Sequence, residues 1–242
     1  MRDRPVPIHA EPSPTALDHQ ASMPRAASPR LIASEADVKA GLRALRRKCP
    51  AMRLAHDLAG DPPLRLREPG LEGLMRIIVA QQVSVASATA IWARVAAGVR
   101  PLEAATILAM SEEQLRACGL SRPKIRTLTA IARAISEDGL DLGALADASE
   151  AEIHEQLTAV SGIGPWTADI FAMFCLGRAD AFAAGDLALQ EAARLILELD
   201  ERPKPDELGE IAERWRPWRG VAARMLWQYY RVAKAASSGA PA

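Results

Sequence analysis

No stretch of this chain alternates β-branched or aromatic residues with polar ones at a period of two, so strands have no candidates and an all-α fold is expected. Aromatic residues are scarce, ten in 242, yet nine of them follow residue 160. The three cysteines, Cys49, Cys118 and Cys175, are odd in number, far apart and without CxxC spacing. They offer neither a disulfide framework nor a zinc or iron–sulfur site. The four histidines, His9, His19, His56 and His154, are equally scattered, which leaves metal-dependent or histidine-based catalysis with little support. No apolar run approaches the roughly 18 residues of a membrane span, and the N-terminus lacks the apolar stretch of a secretory signal. A soluble cytoplasmic protein with no membrane partner is expected. Net charge is absent too: 30 basic residues balance 30 acidic ones, so only local clustering can speak for a nucleic-acid partner.

What is present is helical periodicity punctuated by glycine and proline. Residues 1–30 hold six of the 17 prolines and no hydrophobic period, so residues 1–33 are read as a disordered tail. From Ser34, a cap candidate, "SEADVKAGLRALRRKC" spaces Val38, Leu42 and Leu45 at helical intervals. Further helical patterns run through about 71–97, 102–108, 111–117, 122–137, 150–160, 165–177, 186–199, 205–215 and 217–235. The folded part is therefore taken as 34–242.

The stretch "VSGIGPWTAD", residues 160–169, breaks two helices with two glycines, a proline and a tryptophan. Gly162 supplies backbone freedom, Gly164 removes a side chain where a new helix presents its free N–H groups, and Pro165 suits the first helical position. Such a helix start suits a phosphate, and a short rigid hairpin suits a nucleic-acid backbone because it reads no base. A tight turn whose glycines serve packing alone would look the same. Downstream, "DAFAAGDLALQEAARLILEL" places Asp186 22 residues after Gly164, directly before an apolar-periodic helix. An aspartate there is ordinarily a helix cap, a place that also suits an ionised carboxylate.

"LTAVSGIGPWTAD" resembles the helix-hairpin-helix of the DNA glycosylase superfamily, approximately L-P-G-[IV]-G-x-x-T-A, with Ser161 where proline is usual. The resemblance implies that amides at Gly162 and Gly164 and the Thr167 hydroxyl grip DNA phosphates. It also implies a structural Na+ or K+ held by the carbonyls of Thr158, Val160 and Ile163. Asp180, Phe182, Asp186 and Leu187 fit the superfamily's D-x-F-x-x-x-D-L stretch, with Ala183 in place of the usual proline, which makes Asp186 the implied catalytic carboxylate. Asp169 and Asp180 are left to solvent, caps or local support.

Strand-nicking members carry a lysine nucleophile where this chain has Trp166, and the iron–sulfur branch carries a cysteine cluster that is missing here. What remains is similar to the 3-methyladenine DNA glycosylase II, or alkylpurine, branch across most of residues 70–235. "IIVAQQVSVASATAIWARV" (77–95), "GLSRPKIRTLTAIA" (119–132) and "ERWRPWRGVAARMLWQYYR" (213–231) carry the match. The resemblance implies two helical lobes, 71–178 with the hairpin and 34–70 plus 179–236, with a cleft between them. It also implies a monofunctional enzyme that flips an alkylated purine out of double-stranded DNA and hydrolyses its glycosidic bond, without a required cofactor and as a monomer.

In that reading Trp166 and Trp227 line the base pocket, where electron-rich rings attract an alkylated, cationic purine. Trp215 and Trp218 belong to the core. Gln82, on the turn shared with Gln81, enters the duplex, and Lys124, Arg122, Arg126 and Arg219 are candidate phosphate contacts. A cationic purine leaves readily, so one carboxylate suffices to stabilise the sugar cation and orient water. The competing readings are a non-catalytic helix-hairpin-helix DNA-binding protein, a helical scaffold, and a glycosylase for another damaged or mismatched base.

Overall fold

A computed structural model describes residues 29–238. Residues 1–28, most of the expected tail, lie outside the described residues. Among the described residues every regular element is a helix, and the only strand-like pairing is an isolated bridge between Leu31 and Arg178. The all-α class is as expected. Residues 30–33 depart from the tail reading: Ile32 is fully buried, its N–H donates to Gly177 O at 2.7 Å, and Ala179 N–H donates to Arg30 O at 2.9 Å. Composition hides this contact because Leu31 and Ile32 form an apolar pair too short to show a period.

The order is α1 (Glu35–Lys48), α2 (Pro50–Ala59), α3 (Gly70–Ala80), α4 (Val85–Gly98), α5 (Ala104–Ala109), α6 (Glu112–Ala117) and α7 (Arg122–Ser136). It continues with α8 (Glu150–Thr158), α9 (Pro165–Phe174), α10 (Leu187–Ile196), α11 (Pro205–Ala212) and α12 (Arg219–Ser238). Helices α3 to α9 pack mainly on one another; α1 and α2 pack on α12, α2 also on α10, and α11 packs on α10. Ser34 caps α1 as its sequence indicates: its Oγ accepts the Asp37 N–H while Asp37 Oδ2 accepts the Ser34 N–H at 2.9 Å. Two departures concern boundaries. Helix α2, with Met52 and Ala55 buried and Leu54 and Leu58 exposed, is an additional ten-residue helix between the pattern that begins at Ser34 and the one over 71–97. The single pattern over 71–97 is two helices, parted at Gln81–Ser84, where Gln82 takes a left-handed φ of 56°.

Arg224 is the internal fastener between the two groups of helices, and nothing in the sequence marks it. Only 2% exposed, it donates from α12 to Leu64 O at 2.9 Å, to Gly220 O at 2.8 Å and to Met173 O, near the end of α9, at 3.0 Å. Its guanidinium also lies over the Phe174 ring at 4.7 Å. Burial pushes its pKa down to about 10, and the three carbonyls satisfy the charge that burial would otherwise leave alone. Helices α9 and α12 are thereby fixed relative to each other, which matters because each carries one of the tryptophans of the site.

Candidate active site

Asp186 is the N-cap of α10, in extended backbone, and its Oδ1 accepts the N–H groups of Ala188 and Leu189, both at 3.0 Å. The capping role is therefore real, and it is not the whole of the residue's surroundings. Trp227 Nε1 of α12 donates to Oδ1 at 3.0 Å, and Trp166 Nε1 of α9 donates to Oδ2 at 2.9 Å. Four N–H donors from three helices converge on one carboxyl, an arrangement matched to an acceptor-only carboxylate. Their distribution is uneven: three fall on Oδ1 and one on Oδ2. Oδ2 keeps the acceptor capacity that a substrate or a water can use.

This carboxylate opens on a cleft of about 490 Å³ lined by Gln81, Gln82, Gly162, Gly164, Trp166, Thr167, Gly185, Asp186, Leu187 and Ala188. The hairpin and the Gln81–Gln82 turn, far apart in sequence, thus face one space together with Asp186. Trp227 lies outside this lining; it packs on Phe174 with ring centroids 5.7 Å apart and reaches the site only through its indole N–H. Trp166 does both: it lines the cleft and holds Oδ2. Leu187, 62% exposed, forms an apolar lip. Trp215 is fully buried against Phe182, whereas Trp218 is half-buried beneath Arg30. Tyr229 and Tyr230 are half-buried on α12 and are not part of the lining.

The hairpin's two glycines have different causes. At Gly162, φ is +89° and a Cβ would sit 2.1 Å from Thr127 Oγ1, so turn geometry and packing both demand glycine. At Gly164, the N-cap of α9, φ is −100° and a Cβ would meet nothing within 4 Å. The protein's own packing tolerates a side chain there, and what glycine achieves is an open approach to the α9 amides from outside. Pro165 occupies the first turn of α9, as expected. The carbonyls of Thr158, Val160 and Ile163 lie at the C-terminal end of α8 and in the turn after it, the partially negative end of a helix. Val160 O accepts the Ile163 N–H at 3.0 Å, which leaves it a second lone pair.

Several polar candidates are engaged inside the protein. Thr167 is only 2% exposed, and the hydroxyl implied for a phosphate already accepts the Gln81 Nε2–H at 3.0 Å within the protein. Lys124 Nζ donates to Val79 O at 2.8 Å, and burial lowers its pKa. Its ammonium ties the end of α3 while lining a second groove of about 400 Å³, with Gln81, Gln82, Ser121 and Arg126 among its neighbours. Arg122 pairs with Glu112 at 3.3 Å on the surface. Arg219 is withdrawn as a phosphate contact: its side chain, 13% exposed, is neutralised by Asp180 at 3.1 Å, Glu213 at 2.9 Å and Glu150 at 3.4 Å. Asp180 and Asp169 are local supports. Asp169 accepts from or pairs with His154 Nε2 at 2.7 Å, bracing α8 against α9; that hydrogen bond raises the imidazole pKa, while burial raises that of the carboxyl. Among the described residues no group of His, Cys, Asp and Glu is arranged to hold a metal ion, and no helix is long and apolar enough to cross a membrane.

Comparison with known proteins places this geometry. The pattern of the HhH-GPD superfamily of base excision DNA repair proteins matches residues 75–217. The chain is 36% identical over 212 residues, 83% of its length, to the Mycobacterium tuberculosis "Probable bifunctional transcriptional activator/DNA repair enzyme AlkA", of which it spans 40%. It is 32% identical over 171 residues to DNA-3-methyladenine glycosylase 1 of Schizosaccharomyces pombe, covering 69% of this chain and 75% of that one. Among solved structures, S. pombe 3-methyladenine DNA glycosylase (Mag1) in complex with abasic-DNA superposes with a TM-score of 0.69 at 28% identity, over 79% of this chain and 95% of that one.

Proposed function

Since the chain belongs to the HhH-GPD superfamily of base excision DNA repair proteins, in its 3-methyladenine DNA glycosylase branch, we propose that it is a monofunctional DNA glycosylase. It takes an alkylated purine of the 3-methyladenine or 7-methylguanine type out of duplex DNA and hydrolyses the N-glycosidic bond, leaving an abasic site. The observation that carries this reading is the Asp186 carboxylate, held by four N–H donors at the wall of a cleft.

Alkylation at N3 or N7 gives the purine a positive charge, so the leaving group departs neutral and needs no protonating acid. The developing charge falls on the sugar. Asp186 lines the cleft, and its Oδ2, with one donor, has the spare acceptor capacity to stabilise an oxocarbenium-like sugar and orient or deprotonate the attacking water. The preorganised donors keep the carboxylate from rotating away, so little reorganisation is needed during the reaction. Trp166 supplies an indole face to the cationic base, an attraction of about 0.5–2 kcal/mol. It also stands where strand-nicking relatives carry a lysine; an indole N–H committed to Asp186 is no nucleophile for a Schiff base.

Duplex DNA would lie across the cleft with the hairpin amides at Gly162 and Gly164 on its phosphates and the Gln82 turn entering the stack. The carbonyls of Thr158, Val160 and Ile163 suit a monovalent cation such as Na+ or K+, which would add positive charge beside the same phosphates. One chain supplies all these parts, in keeping with action as a monomer. The test is to incubate the purified protein with methylated duplex DNA, identify the released bases by mass and probe for strand breaks before and after alkali. Free methylpurines with breaks only after alkali are expected. No released base, or breaks without alkali, would overturn the reading.

A further inference from the structure

The turn at Gln81–Ser84 contains neither glycine nor proline, yet Gln82 holds a left-handed φ of 56°, a region that side-chain-bearing residues seldom occupy. Such a conformation persists only where surrounding contacts impose it. Two long-range contacts do so. Gln81 Nε2 donates to Thr167 Oγ1 at 3.0 Å across 86 residues, and Lys124 Nζ donates to Val79 O at 2.8 Å across 45. The first bond is shielded, since Thr167 is only 2% exposed and Gln81 is part-buried. Thr167 directly follows Trp166, whose indole holds Asp186 Oδ2. A continuous path therefore runs from the exposed tip at Gln82 through Gln81, Thr167 and Trp166 to the carboxylate. The same pair, Gln81 and Gln82, forms the ridge between the Asp186 cleft and the groove lined by Lys124 and Arg126.

We propose that Gln81 is a positioning residue whose amide ties the turn bearing Gln82 to the hairpin helix, holding the side chain that enters the duplex in register with the Asp186 cleft. This rests on the base-extruding reading above. Extrusion leaves a gap in the stack, and a tip that swings relative to the cleft neither fills that gap nor delivers the sugar to Oδ2. Small misplacements of that kind cost rate rather than affinity. The bond thus acts on the step that holds the nucleotide out, leaving the phosphate grip of the hairpin intact.

The test compares the full-length protein with Gln81→Met, Thr167→Val, their double variant, and Thr167→Ser. Two measurements are taken: the fluorescence of 2-aminopurine placed beside an abasic analogue, which reports insertion whether or not the protein cleaves, and kcat and KM for base release from a lesion in a normal pair and in a mismatch. Gln81→Met and Thr167→Val should each lower kcat on the paired lesion roughly three- to tenfold, the scale of one hydrogen bond. The loss should be smaller on the mismatched lesion, whose base is already loosened, with KM little changed. The double variant should be no worse than either single one, and Thr167→Ser should recover most of what Thr167→Val loses. Additive losses, equal losses on both substrates, or no recovery by serine would overturn the proposal. If no variant and no wild-type protein releases a base, but Gln81→Met abolishes the wild-type fluorescence change, the tether stands and the glycosylase reading falls. If base release and fluorescence are both unchanged in Gln81→Met, the tether falls and the glycosylase reading stands.

Discussion

Residues 160–165 turn the chain with two glycines and a proline, whereas residues 81–84 turn it with neither, and both turns face the Asp186 cleft. The hairpin is specified locally: Gly162 at φ +89° and Pro165 at the start of α9 permit little else. The Gln81–Ser84 turn is specified from a distance, by Thr167 and Lys124. The contrast separates a grip that must keep one shape from a tip whose placement depends on the rest of the site.

The largest effect should come from the locally built turn. Gly162→Ala puts a Cβ 2.1 Å from Thr127 Oγ1 at a φ alanine resists, and should cost about 2–4 kcal/mol of stability, read as a drop of roughly 5–12 °C in thermal denaturation. A variant that melts like the wild type would show that the hairpin is no more rigidly encoded than the other turn. Between the turns stands Asp186, and Trp227→Phe removes one of its donors while keeping a ring against Phe174. Loss of one charge-assisted hydrogen bond, about 1.5–3 kcal/mol, predicts a fall in kcat of at least tenfold; an unchanged kcat would mean that Trp227 merely packs. Gly164→Ala separates function from packing within the hairpin. With nothing within 4 Å of the new Cβ, stability should change by no more than about 0.5 kcal/mol, while binding to abasic duplex weakens a few-fold through the obstructed amides. Equal losses of stability and binding would reverse that assignment. The smallest effect belongs to Gln82→Gly, which removes the left-handed strain against the entropy cost of glycine and should raise stability by a few tenths of a kcal/mol while lowering base release; a fall in melting temperature would contradict the strain.

The same contrast explains what could be read from the chain. Helix periods, the hairpin and the Asp186 cap are written in local spacing, and apart from α2 and the 71–97 pattern each stands about where that spacing put it. The division of 71–97 was legible only through the resemblance, which puts Gln81 and Gln82 on a turn; no glycine or proline marks it, and the Ser84 cap of α4 is its one local sign. Arg224 looked like one more basic residue on a helix, and Arg219 like a phosphate contact, because burial and partners belong to the folded state: three carbonyls surround the first and three carboxylates the second. Thr167 was assigned to DNA by resemblance, and its engagement with Gln81 depends on a neighbour 86 residues away. The two indoles were legible as partners of the site but not as donors to Asp186, since hydrogen-bond direction has no trace in spacing.

The central claim is that the Asp186 carboxylate drives base release, and single-turnover kinetics of Asp186→Asn on methylated duplex DNA test it most directly. Asparagine retains the size and loses the negative charge, so release of methylpurines should fall by about 100- to 1,000-fold or more, with binding to abasic duplex largely preserved. Release at the wild-type rate would contradict the account.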